Sequence, residues 1–241
     1  MKKAILCIVS LIFLFSYSLV AQKKDRIEYL PNFDKKQLHF GYYLGLNKKG
    51  VKVSYNEYLS TLNLNSDNYL TVEESMGFNI GLVVDYKLHD NVNLRFEPGL
   101  SSNTKTLTYN NFDTPEIREV PGTYLRMPLL LKFSTNRIDN MRAFLIGGVS
   151  YDFNFSSNQD NVNDNSNGEF RMKKSNFMYE VGVGVDIYLY YFKFSPSIRG
   201  IFAINNEIVP DSNYGGPYTG PYTGVIDYFG TRGVFINFTF E

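Results

Sequence analysis

The sequence predicts an all-β protein: an eight-stranded antiparallel transmembrane β-barrel with short periplasmic turns and long extracellular loops. Three observations carry this expectation. Eight segments alternate apolar and mixed residues with a period of two, the spacing at which strand side chains share a face. Each runs about 9–13 residues, the length of a tilted membrane strand and longer than the ~5–6 residues usual in soluble sheets. The connections between them alternate short and long.

Taken in chain order, residues 1–21 read as a secretory signal peptide. Lys2 and Lys3 form a basic start, Ala4 to Leu14 is almost unbroken apolar sequence, and a small-residue end places cleavage after Ala21. The apolar run is shorter than the ~20 residues that span a bilayer as a helix. Cys7, the single cysteine of the 241 residues, leaves with this segment. Lys2 and Lys3 leave too, taking 24 basic residues to 22 against 24 acidic, a mature charge of −2. No later stretch approaches the ~18 continuous apolar residues of a membrane helix.

The expected strands are roughly 38–46, 76–88, 91–101, 123–133, 143–155, 177–187, 191–203 and the segment ending at Phe240. In the sixth, Phe177, Tyr179, Val181, Val183, Val185 and Ile187 share one face, and Met178, Glu180, Gly182, Gly184 and Asp186 share the other. A helix is excluded because apolar positions do not recur at three and four. Pro98, Pro128 and Pro196 fall inside three of these strands, where bulges or local breaks are expected. Short links lie at His89-Asp90, near 136–140 and at Leu189-Tyr190; the long loops are 47–75, 102–122, 156–173 and 204–228. Two of these carry solvated loop composition, the Asn- and Asp-rich run from Asn158 to Gly168 and the direct repeat at 216–223.

The uniformly apolar face is expected to meet lipid, which leaves the opposite face to fill the lumen. That face carries Asp85, Lys87, Arg95, Glu97, Arg126, Lys132, Asp152, Glu180, Asp186, Lys193 and Arg199. Eight strands leave room inside only for side chains. These near-balanced charges are therefore expected to pair as a structural lumen network, since a lone buried charge is costly. Glycines on this face, such as Gly81, Gly99 and Gly182, relieve crowding.

Composition excludes several function classes. The zero formal charge removes the electrostatic case for nucleic acid. A mature chain without cysteine builds no disulfide framework and no thiolate zinc site. His39 and His89 are the only imidazoles, and neither has a serine and a carboxylate at recognisable catalytic spacing. Asn163 to Gly168 has the start of a calcium loop, but its twelfth position is Lys174 where a glutamate is required. No catalytic residue, metal ligand, cofactor or small-molecule substrate is therefore expected. The expected location is the outer membrane, with its lipid as one partner.

The segment 22–37 is expected to lie in the periplasm. It holds Lys23, Lys24, Arg26, Lys35 and Lys36 against Asp25, Glu28 and Asp34, a local charge of +2. Tyr29, Leu30 and Phe33 around Pro31 suit contact with a protein partner or plugging of the barrel mouth.

The opening Tyr29-Leu-Pro-Asn-Phe-Asp-Lys-Lys-Gln-Leu-His-Phe-Gly41 resembles that of PorT-family proteins, called SprT in gliding bacteria. Further resembling pieces are Arg95-Phe-Glu-Pro-Gly-Leu100, Pro128-Leu-Leu-Leu-Lys132, Phe144-Leu-Ile-Gly-Gly148, Tyr179-Glu-Val-Gly-Val-Gly184 and Tyr191-Phe-Lys-Phe-Ser-Pro196. The resemblance implies a non-enzymatic outer-membrane barrel of Bacteroidota required for type IX secretion, the export route of proteases and gliding adhesins, with other secretion-apparatus proteins as partners. A generic small barrel acting as porin, receptor or adhesin, and an outer-membrane lipid hydrolase, are the alternatives.

Overall fold

The structure is a computed structural model that describes residues 27–57, 69–110, 116–160, 171–210 and 223–241. The signal peptide, the calcium-like run at 163–168 and residues 216–222 of the repeat lie outside the described residues. Ten strands form the sheet: β1 (Leu38–Tyr55), β2 (Leu70–Glu74), β3 (Met76–His89), β4 (Val92–Phe96), β5 (Gly99–Tyr109), β6 (Glu116–Ser134), β7 (Met141–Asn154), β8 (Ser175–Tyr188), β9 (Lys193–Ala203) and β10 (Ile226–Phe240). They make a ring of eight, because β2 and β3 are one interrupted strand and β4 and β5 another. β1 pairs with β10 on one side and β3 on the other, which closes the barrel. Every pairing is antiparallel, so no sheet edge is left open at the level of the belt. Among the described residues no helix is long and apolar enough to cross a membrane.

The barrel is apolar outside and polar inside. Phe40 is 67% exposed and Leu82 63%, whereas Asp85 and Arg95 are 0% exposed. Water would punish both choices; lipid outside and neighbouring charges inside remove the penalty.

The prolines behave in three ways. At Pro98 the expected break occurs, between β4 and β5, yet the register to β3 resumes in phase from Val84↔Phe96 to Gly81↔Gly99. Pro128 lies in an unbroken β6, and its carbonyl accepts from the Glu97 N–H at 3.2 Å. Its absent donor therefore faces the gap that Pro98 already makes, so one interruption serves both. Pro196 sits in an unbroken β9 and pairs with Phe238. Pairing to β8 skips it, passing from Gly184↔Ser197 to Ile187↔Phe194 without a shift. Register shifts lie elsewhere, between Ser54 and Tyr55 against β10, between Lys87 and His89 against β4, and at Ser75. The pairings Glu74↔Lys105 and Phe78↔Ser102 leave one extra residue on the β2–β3 side.

Two expected loops are corrected. Of 47–75 and 102–122, the stretches at 47–55, 70–74, 102–109 and 116–122 are strand. Here the polarity pattern inverts. On β5 the residues outward of Leu100 are Ser102, Thr104, Thr106 and Thr108, while Leu107 and Tyr109 point inward and are fully buried. With Val51, Leu70, Val120, Ile208 and Phe229 they form an apolar core that closes the long-loop end of the barrel. This part of the wall stands beyond the apolar belt and is built like a soluble sheet.

Candidate functional site

The lumen holds an ion-pair network that runs from Lys193 to Asp152, with the Lys132–Asp186 pair beside it. At the short-turn end, Lys132 Nζ lies 2.8 Å from Asp186, which also accepts from the Ser195 hydroxyl at 2.6 Å. Lys193 and Arg95 converge on the Glu241 side chain, at 2.7 and 3.0 Å. Arg95 also faces Asp85 at 3.4 Å and Glu97 at 3.2 Å. Halfway up, Arg199 donates to both oxygens of Glu97, and Arg126 bridges Asp152 and Glu180. Five cations thus meet six carboxylates, which leaves the network close to neutral. A separate row of neutral bonds runs from Asn47 to Asn79 (2.7 Å) and from Asn79 to Asn237 (3.1 Å).

Ten of the eleven charges singled out in the sequence are buried in this interior. Lys87 is not; it stands at the turn-end mouth, where it contacts Asp90 at 2.8 Å and donates to the Asp34 carbonyl at 2.9 Å. Tyr43 covers the facing glycines Gly81 and Gly99, and a side chain at either would collide with its ring.

The sequence reading missed Lys49, Lys105, Arg118, Glu207 and Glu241. Lys49, Lys105 and Arg118 lie in stretches taken for loops; Glu207 reaches back from the last loop. Lys105 donates to the Thr231 hydroxyl at 2.8 Å, which in turn donates to Glu207 at 2.6 Å. Lys49 sits over the rings of Tyr124 and Phe235, at 4.2 and 5.5 Å. A signal was available at these positions: a charge in phase with the lumen face of the adjoining expected strand.

The turn-end mouth is stopped by the segment before β1. A 3-10 turn, Phe33–Lys35, sets Phe33 flat against His39 with ring centroids 4.1 Å apart and edge-on to Tyr188. Lys193 lies 4.7 Å over the Phe33 ring. Asp34 accepts from the Tyr188 hydroxyl at 2.7 Å and faces Arg142 at 3.6 Å. Upstream, the Tyr29 N–H donates to Asn140 Oδ1 at 2.9 Å, and its ring packs edge-on to Tyr190. Leu30 carries the turn with a φ of 52°. Tyr29, Leu30 and Phe33, expected to be exposed, are half-buried against the barrel, because Arg137, Asn140 and Tyr188 supply partners there.

His39 Nε2 lies 3.2 Å from the Lys36 carbonyl, and among the described residues neither histidine bonds a serine or threonine hydroxyl. No cluster of three or more His, Cys, Asp or Glu suited to a metal occurs among the described residues.

A closed antiparallel barrel with an apolar exterior and a salt-bridged interior is an outer-membrane β-barrel protein, and its place is the outer membrane. The profile of one family, described as "Outer membrane protein beta-barrel domain", matches residues 20–209. The chain belongs to that family. No curated protein matches it. Solved structures similar to it include OprG of Pseudomonas aeruginosa, at 15% identity over 85% of this chain and 95% of that one, with a TM-score of 0.47. Neisserial surface protein A follows at 7% identity, 85% and 98% coverage and a TM-score of 0.41. The outer-membrane enzyme PagL gives 11%, 82% and 97%, and 0.37. At such TM-scores these likenesses carry no argument; the family match does.

Proposed function

We propose that this barrel is a non-enzymatic, non-conducting component of type IX protein secretion, as its PorT-like opening implies. The carrying observation is the seating of that opening. Of the two more specific pieces of the resemblance, Leu30 to Lys36 and Tyr191 to Pro196, the first is folded onto the turn-end mouth, with Phe33 and Asp34 held by Tyr188, His39 and Arg142. A filled lumen supports a role exercised through surfaces rather than by diffusion through the barrel. The partners are outer-membrane lipid around the belt and other proteins of the apparatus, with Tyr29 and Leu30 at the edge of the contact. The test is the secreted-protein profile of a deletion strain. Loss of cargo export, restored by the wild-type gene, is the expected result; normal secretion overturns the reading.

A second reading, a receptor or adhesin, is favoured by the walls of β1, β5, β6 and β10 that extend past the apolar belt. It predicts an unchanged secretome.

A further inference from the structure

Immediately past the apolar belt, the outer wall of β1 and β10 carries basic residues. On β1 the outward residues Phe40, Tyr42, Leu44 and Leu46 give way to Lys48, Gly50 and Lys52. On β10 the outward residues Phe238, Ile236 and Val234 give way to Arg232. The register places these changes side by side, with Lys48 opposite Val234 and Gly50 opposite Arg232. Lys48 and Arg232 line one groove of about 260 Å³ whose floor includes Gly50 and Gly200. The Glu74 carboxylate lies over Gly50 and the Phe202 ring over Gly200. Among the described residues, Lys52 and Arg232 have no carboxylate within ion-pair distance; Lys48 has only Glu74, at 3.7 Å. The neighbouring wall differs, with Glu73 on β2 and Ile117 and Glu119 on β6 facing outward.

We infer that this groove binds the phosphate headgroup of an outer-leaflet glycolipid, with Lys48, Lys52 and Arg232 as its cationic contacts. Charge complementarity and continuity with the belt select this occupant. The acyl chains lie along Leu44, Leu46, Val234 and Ile236, and the headgroup phosphate then reaches the first polar row above them. The Arg232 guanidinium and the Lys48 ammonium line the groove and Lys52 stands at the next outward position of β1, so three cations outnumber the one carboxylate, Glu74, and suit a tetrahedral dianion. Glu74, over Gly50, opposes the anion.

The test uses the full mature barrel in detergent, with native mass spectrometry of retained bisphosphorylated lipid A and of its dephosphorylated form. The wild type is expected to prefer the bisphosphorylated form. The triple variant K48Q/K52Q/R232Q is expected to lose that preference by about five-fold per charge, ~100-fold in all. Glu74→Gln is expected to tighten binding. A control, T104Q/T106Q, should bind as the wild type, and unchanged heat-modifiable gel migration shows that each variant is folded. Equal retention of both lipids, or an unaffected triple variant, overturns the inference. Complete displacement of the lipid by millimolar inorganic phosphate overturns it too, by assigning the groove to a free anion. Retention of a protein instead of the lipid at this groove does the same.

Discussion

Arg199 on β9 reaches across the barrel and grips Glu97 with both arms, Nη1 to Oε2 at 2.5 Å and Nη2 to Oε1 at 2.9 Å. Glu97 stands at the one interruption of its wall, between β4 and β5. Tyr43 leans on the same place, its hydroxyl 3.5 Å from the Glu97 carbonyl. The bidentate bond therefore braces the weakest point of the ladder from the opposite side. Arg199→Ala leaves the buried Glu97 carboxylate with Arg95 alone, at 3.2 Å, and is expected to cost up to ~3–5 kcal/mol, while the paired apolar replacement R199M/E97L costs less. Urea unfolding in lipid, read as a double-mutant cycle, checks this; additive losses would show that the pair is not coupled.

The barrel should not conduct. Asp85, Arg95 and Glu97 are exposed to 1% or less, which leaves no room for a wide water-filled path beside them. The long-loop end is closed by Leu107, Phe229 and their neighbours. Planar-bilayer recording is expected to show no large steady channel, even after removal of residues 27–36. Reproducible porin-like conductance would contradict the packing described.

Phe33 and Asp34 hold the segment before β1 to the mouth. Phe33→Ala and Asp34→Ala are each expected to weaken that docking by ~1–3 kcal/mol. Hydrogen exchange should speed up over 28–37 while the belt strands keep their protection. Uniform loss of protection would mean that these residues support the whole barrel.

The position of the belt gives a depth test. Leu82, at the middle of the outward row of β3, should cost ~2–4 kcal/mol when changed to Lys. Thr106→Lys, on the extended part of β5, should cost ~0–1 kcal/mol. Equal penalties would place both residues in lipid.

Glu207 gives a pH dependence. Burial above the lumen raises its pKa, against the opposing pull of Lys105 and the Thr231 hydrogen bonds. An acid whose folded pKa is raised binds its proton more tightly when folded. Its contribution is present below the unfolded value of ~4.3 and is lost as pH rises through the folded value. Glu207→Gln should flatten the fall in the unfolding midpoint above about pH 4.3. An identical slope in both proteins would remove Glu207 as the cause.

The sequence by itself determined the ring of eight, the lipid-facing row and the inward charges of the belt. The reason is that lipid imposes a strict period of two on every strand that crosses it: Phe177 to Ile187 could only present one face to lipid. It also marked Pro98 as an interruption. Only the tertiary structure decided where the wall ends. Past Lys48 and Leu100 lipid no longer demands an apolar exterior, so the outward residues become polar and the inward ones apolar. A reading tuned to an apolar outer face loses the strand there, and with it Lys49, Lys105 and Arg118. The pairing of charges was likewise undecided in the sequence. Arg199 and Glu97 are 102 residues apart, and only closure of the barrel brings them into contact. The same holds for Phe33, whose stacking on His39 depends on the mouth that Tyr188, Arg142 and Lys193 assemble from distant strands.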